Sequence, residues 1–391
     1  NHHAMKMQKT LLLAGIPAVQ KNLYHRIQFS VGDPAAWIEF EKTDGKRQSF
    51  LVCRDIEMER ARKKATVDAV YCPADFTPEA GLSGDRETAT AQAVAECLNH
   101  KGITAVTSDR SLALIYLEAL KNAGIEVHYS PEMGVMERRG KSEDELIALR
   151  QAQSITEKVM SMACQLVCHA KARKDGSLEV EGDSLTSESL RARIDHWLLD
   201  EGFSNPGSII ACGPQGADCH EYGKGPLRTE VPIIIDIFPC SKSTYYNGDC
   251  TRTAVHGKIP VHIEKAYDTA VKAKFAAMKV TRAGVTGEAV HQETIRVIHE
   301  QGYETGLPGK ESAASRCAMV HGTGHGVGLE VHEPPLLDFK GPELIVGDVL
   351  TIEPGLYCPA WGGVRREDMV EVRERACESF NLLPDTPSWE L

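Results

Sequence analysis

Residues 319–335 read MVHGTGHGVGLEVHEPP, with His321, His325 and His332 set among Gly322, Gly324, Gly326 and Gly328. Glycine lacks a Cβ, so a chain uses it where backbone must approach something closely. Four glycines at alternate positions therefore predict a segment that passes close to a bound group and aims imidazole at it. A phosphate-binding reading fails on spacing: the glycines run G-x-G-x-G-x-G, and no Lys-Ser/Thr pair follows them.

On both sides of this stretch, acids occur in apolar surroundings. Asp236 interrupts VPIIIDIFP, and an aspartate inside a buried strand costs several kcal/mol unless a cation pairs with it. Asp249 opens DCTRTAVHG, Glu353 sits in VLTIEPGLY, and Glu367 lies in GGVRREDMVEV. Each of these three also reads, by itself, as a turn acid or a half-exposed strand residue. Together with His325 the four acids make a consistent set. Hard oxygen ligands plus one imidazole suit divalent manganese, cobalt, iron or zinc, and four carboxylates carry enough charge for two such ions.

The bulk properties bound what such a site can serve. At 391 residues the chain exceeds the roughly 250 to 300 at which single cores stop growing, so two domains are expected. Lys and Arg number 44 against 55 Asp and Glu, a net charge of −11, which argues against nucleic-acid and anionic-membrane partners. No run approaches the roughly 18 apolar residues of a membrane span. The run TLLLAGIPAV reads as folded protein, and residues 1–5, NHHAM, as an expression scar. Twelve scattered cysteines without a signal peptide read as reduced thiols of a cytoplasmic protein. Cys164 and Cys168, four apart on a helical pattern, could share a metal. Lacking a second close pair, they read as core.

Short β-branched runs at 50–53, 103–107 and 125–129 alternate with helical patterns near 55–64, 88–100 and 111–123. That alternation predicts an α/β layer domain over residues 6–140. Ser142 and Glu145 are spaced as a capping box opening a long helix from 143 to about 170, where a second domain, 141–391, begins. Within it, helices near 186–201, 261–282 and 286–302 alternate with strands at 208–212, 231–238, 250–256 and 348–352.

The order Asp236, Asp249, His325, Glu353, Glu367, carried in IDIFP, GDCTRT, HGTGHGVGLEVHE, TIEPGLY and GGVRRED, resembles the pita-bread metallopeptidases. These include methionine aminopeptidase, prolidase and aminopeptidase P, and the resemblance covers residues 142 to about 375. It implies two related α/β halves around two divalent ions, with Asp236 chelating one, Asp249 and Glu367 bridging both, and His325 and Glu353 completing the other. A water held between two such ions can lose its proton near neutrality and attack an amide carbonyl. By the same resemblance Glu353 takes that proton, while His332 contacts substrate and the tetrahedral intermediate. His220 lies near a family histidine that binds substrate and assists proton movement, although it also reads as a loop surface histidine. His321 and Arg365 match residues of the proline-directed members, and His321 also reads as a structural histidine.

A separate N-terminal α/β domain is typical of prolidases and aminopeptidase P, and methionine aminopeptidases usually lack it. The resemblance thus implies a homodimer that cleaves the Xaa-Pro bond of dipeptides or short peptides. An aminopeptidase of other specificity, a creatinase-like amidinohydrolase and a non-catalytic binding relative remain as alternatives; the last two have usually lost metal ligands. Two features depart from the family pattern. The hairpin between Asp236 and Asp249 is two residues longer, which preserves the side-chain period and hence the face each strand presents. Arg366 replaces an apolar residue beside Glu367, on the opposite strand face. His256, His291 and His299 lack motif context and read as solvated or structural.

Overall fold

The computed structural model describes residues 9–389, so the expression scar read at residues 1–5 lies outside the described residues. The chain divides into two compact units between Arg138 and Arg139. In the first unit a six-stranded sheet is ordered Ala69–Tyr71, Arg47–Val52, Ala35–Glu41, Leu11–Gly15, Ala105–Ser108 and Glu126–Tyr129. The sheet is mixed. Leu11–Gly15, Ala35–Glu41 and Arg47–Val52 pair antiparallel, and the alternation of strand and helix is broken where Arg47–Val52 follows Ala35–Glu41 directly. Leu12 and Ile38 pack on one face, Leu13, Trp37 and Leu51 on the other. Burial on both faces gives these strands continuous apolar runs in place of alternation.

The second unit opens with the expected cap. Ser142 Oγ accepts from the Glu145 N–H at 3.3 Å, and Glu145 Oε1 accepts from the Ser142 N–H at 3.2 Å. The helix that follows, Glu143–Cys168, buries Met160, Ala163, Cys164 and Val167 against an antiparallel sheet of Ser208–Cys212, Ile233–Ile237 and Cys250–Ala254. Cys164 is therefore core, and no disulfide occurs among the described residues. Two further sheets carry Glu333–Leu337, Gly324–Gly326, Val349–Ile352 and Asp368–Val372 in one, and Gly355–Cys358 and Gly362–Arg365 in the other. Helices Val261–Val280 and Gly287–Glu300 pack together over them. Among the described residues, no helix is long and apolar enough to cross a membrane.

The glycine-rich stretch is crowded by its own unit. A Cβ on Gly324 would stand 1.8 Å from the Thr351 carbonyl oxygen, and one on Gly326 2.4 Å from that of Pro334. On Gly322 and Gly328 it would meet the carboxylates of Asp338 and Glu333 at 2.7 and 2.4 Å. Neighbouring strands and side chains of the same unit already demand these glycines. Gly324→Ala should accordingly cost about 3 kcal/mol, because the carbonyl it meets is fixed in a sheet. Urea denaturation reads this directly, and an unchanged midpoint would refute the packing explanation.

Candidate functional site

One cavity of about 310 Å³ is lined by Asp236, Asp249, His325, Glu353, Glu367, His220, His321, His332 and Arg365. All nine residues singled out from the sequence thus converge. Asp236 lies within Ile233–Ile237, a strand buried at every position, and Asp249 immediately precedes its neighbour Cys250–Ala254. The longer hairpin between them still presents both acids to the cavity. Its Asn247 donates from N and Nδ2 to the Gly328 carbonyl at 3.1 and 2.9 Å, tying the hairpin to the glycine-rich stretch.

Asp249, His325 and Glu367 make the tightest group, each offering a donor atom within 4.8 Å of the others. His325 Nδ1 lies 2.9 Å from the Gly326 carbonyl, so it carries the proton and leaves the Nε2 lone pair directed at the acids, 3.6 Å from Asp249 Oδ2. Glu367 lies beside Asp249 in this group, and its Oε1 accepts from Thr251 Oγ1 at 2.8 Å. Asp236 Oδ2 accepts from Arg365 at 2.9 Å. Asp236 Oδ1 and Glu367 Oε2 are buried without a hydrogen-bond partner.

Burial pushes the Asp236 carboxyl up to about 6, with Glu367 adding to the rise and Arg365 opposing it. Burial, then the neighbouring acids, hold Asp249 and Glu367 well above the usual carboxylate range, and burial raises Glu353 too. Four such acids can ionise together at neutral pH only with cations among them. Carboxylates crowded this closely need a proton or a cation among them, and two of their oxygens stand partnerless. This donor set of oxygens and one imidazole therefore fits divalent metal.

A proton-ordered chain borders the acids. Arg365 Nη1 donates to Tyr357 Oη at 3.0 Å, the Tyr357 hydroxyl lies 2.6 Å from His321 Nε2, and His321 Nδ1 donates to the Gly322 carbonyl at 2.7 Å. Burial holds His321 down to about 4, so the ring is neutral and Nε2 accepts from the tyrosine. Both ring nitrogens of His321 are thus engaged within the protein, and Arg365 divides its guanidinium between Asp236 and Tyr357. His332 stacks edge-on to His325, ring centroids 4.3 Å apart, and burial, followed by His325 and His220, lowers its pKa.

Tyr357 carried no signal in the sequence, because Glu353 and Pro354 separate the strand Val349–Ile352 from Gly355–Cys358 and strand alternation does not run through them. Tyr357→Phe would strip a buried partner from both Arg365 and His321 and should cost about 1–3 kcal/mol, measured by denaturant unfolding. His291 proves structural and buried, with Nδ1 2.9 Å from Thr323 Oγ1. His256 is likewise structural, lying 2.8 Å from Thr229 and 2.7 Å from the Ala170 carbonyl.

Residues 147–374 match metallopeptidase family M24, and the chain belongs to that family. It is 31% identical over 254 residues to a probable dipeptidase PepE of Mycobacterium bovis, covering 63% of this chain and 60% of that one. It is 27% identical over 241 residues to an Xaa-Pro dipeptidase of Pyrococcus furiosus, covering 61% of this chain and 62% of that one. The match thus spans about three fifths of these relatives' own length. In fold the chain is similar to the X-Pro aminopeptidase of Thermotoga maritima, with a TM-score of 0.76 over 97% of each chain at 21% identity. The architecture is the pita-bread domain preceded by a smaller N-terminal α/β domain.

Proposed function

We propose that the chain is a metal-dependent exopeptidase that hydrolyses the N-terminal Xaa-Pro bond of dipeptides or short peptides. The carrying observation is the convergence of Asp236, Asp249, His325, Glu353 and Glu367 in one cavity with two buried carboxylate oxygens left partnerless. The names borne by the Pyrococcus and Thermotoga relatives support the proline-directed reading.

Asp236 would hold one divalent ion, Asp249 and Glu367 both, and His325 and Glu353 the other. When bound, the pair would lower the pKa of a water shared between them and stabilise charge on the attacked carbonyl oxygen. Glu353, raised by burial, receives the proton of the attacking water. His332, neutral and beside His325, donates a hydrogen bond to the carbonyl oxygen as it gains charge. His220 on the cavity wall contacts the substrate and assists proton movement. Arg365 orients Asp236 and, through Tyr357, locks His321, so the wall that meets the peptide is rigid. A cavity of about 310 Å³ suits a very short peptide. Manganese, cobalt, zinc or iron would serve, in a cytoplasmic homodimer without nucleic-acid or membrane partners.

The test is hydrolysis of Ala-Pro, Ala-Pro-Ala and Met-Ala-Ser by chelator-stripped protein reloaded with manganese, cobalt or zinc. Cation-dependent cleavage restricted to the proline peptides is expected, and the dipeptide-to-tripeptide ratio separates dipeptidase from aminopeptidase. Release of methionine without cleavage of either proline peptide would overturn the proposed specificity.

A further inference from the structure

Behind the cavity, the segment that follows the strand Cys377–Ser379 touches both acid-bearing strands through Asn381. Asn381 Oδ1 accepts from the N–H of Met369, two residues beyond Glu367, at 2.8 Å, and from Gln153 Nε2 at 3.0 Å. Gln153 is fully buried, and its side-chain amide pairs with the peptide of Asp249. Nε2 donates to the Asp249 carbonyl at 2.7 Å, and the Asp249 N–H donates to Oε1 at 2.9 Å. One turn along the same helix, Glu157 accepts from Asn381 Nδ2 at 3.1 Å and from the N–H groups of Leu382 and Leu383 at 2.7 and 3.0 Å.

A second anchor lies four residues on. Asp385 accepts from Lys274 Nζ at 3.1 Å and pairs with Arg366, the fully buried cation that precedes Glu367. Lys274 and Arg252 in turn hold Asp368, which follows Glu367, at 2.6 and 2.7 Å. Arg366, unexplained by the sequence, thus finds its counter-charge in this segment.

We propose that residues 381–385 form a clasp that positions Asp249 and Glu367 for divalent cations, so that cation binding and clasp closure strengthen each other. The inference rests on the metal reading above. Two buried, mutually repelling carboxylates separate unless their backbones are restrained, and two side-chain amides in series do this: Asn381 holds the Met369 N–H and the Gln153 amide, which in turn holds the peptide of Asp249. A cation between the carboxylates turns that repulsion into attraction. Linkage then requires that whatever closes the clasp tightens the cation, and the reverse, by the same factor. Gln153 and Asn381 act as positioning residues from behind the ligands, a role whose loss typically weakens metal affinity about 10- to 100-fold.

Leu382 is 92% exposed, which offers a protease an entry point when the clasp opens. The experiment uses the full chain, stripped by chelator and titrated with manganese. Chymotrypsin cleavage within residues 380–389 should slow as manganese is added, and Asn381→Leu should bind manganese about tenfold more weakly by calorimetry. In that variant, cleavage should be fast and insensitive to the cation, which a merely structural asparagine would not produce. Manganese binding to the parent chain with cleavage indifferent to the cation overturns the clasp alone, and needs no variant to fold. Variant affinity within twofold of the parent overturns it as well. Failure of the parent to bind manganese, cobalt or zinc overturns the proposed function and the clasp together.

Discussion

Asp249→Asn should lower kcat/KM on Ala-Pro by on the order of a thousandfold, the several kcal/mol of transition-state stabilisation that a metal centre supplies. Asp249 belongs to the tightest donor group, and the amide keeps its shape while removing its charge. The same substitution should raise the melting temperature of the cation-stripped protein. Burial and then Glu367, Asp236 and Glu353 act against an ionised Asp249, so the asparagine relieves a buried repulsion. A structural residue would move both measurements downward together; a ligand moves them in opposite directions. Activity within tenfold of the parent would refute the ligand role.

The second large effect is a fall in stability of the stripped chain as pH rises. Asp236 carries its proton up to about pH 6 in the fold, against 3.8 for the ordinary carboxyl. Between those values the folded state binds more protons than the unfolded one, and stability declines with rising pH. Below the lower value both states are protonated and the contribution is fully present; above about pH 6 it is lost. Asp236 by itself corresponds to about 3 kcal/mol, and the strongly raised Asp249 and Glu367 extend the decline to higher pH. Manganese should reverse the trend, because protons compete with the cation for the same oxygens. Urea midpoints at pH 4 and pH 7, with chelator and with manganese, test both signs. A stripped chain more stable at pH 7 would contradict the crowding of the acids.

Local signals account for what could be read early. The helix from Glu143 was visible because Ser142 and Glu145 satisfy each other's backbone groups within a single turn. Asp236 was visible because a charged residue inside an apolar strand is unfavourable without a partner, and so pointed to a cation; Asp249, Glu353 and Glu367 gained that reading only as a set with His325. The first unit was less legible. Leu11–Gly15 and Ala35–Glu41 are buried on both faces, and a continuous apolar run does not disclose whether its neighbour lies parallel or antiparallel.

By itself, then, the sequence determined which side chains carry charge into apolar surroundings, their order along the chain, and the family to which that order belongs. Only the tertiary structure decided what the glycines pack against and what holds the acids in place. Gly324 answers to the carbonyl of Thr351, His321 to Tyr357, Arg366 to Asp385, and Gln153 to Asn381 across 228 residues. The reason is physical: burial cost and capping are properties of a few consecutive residues. A hydrogen bond or a steric limit between distant segments exists only once the sheets and helices have brought them together.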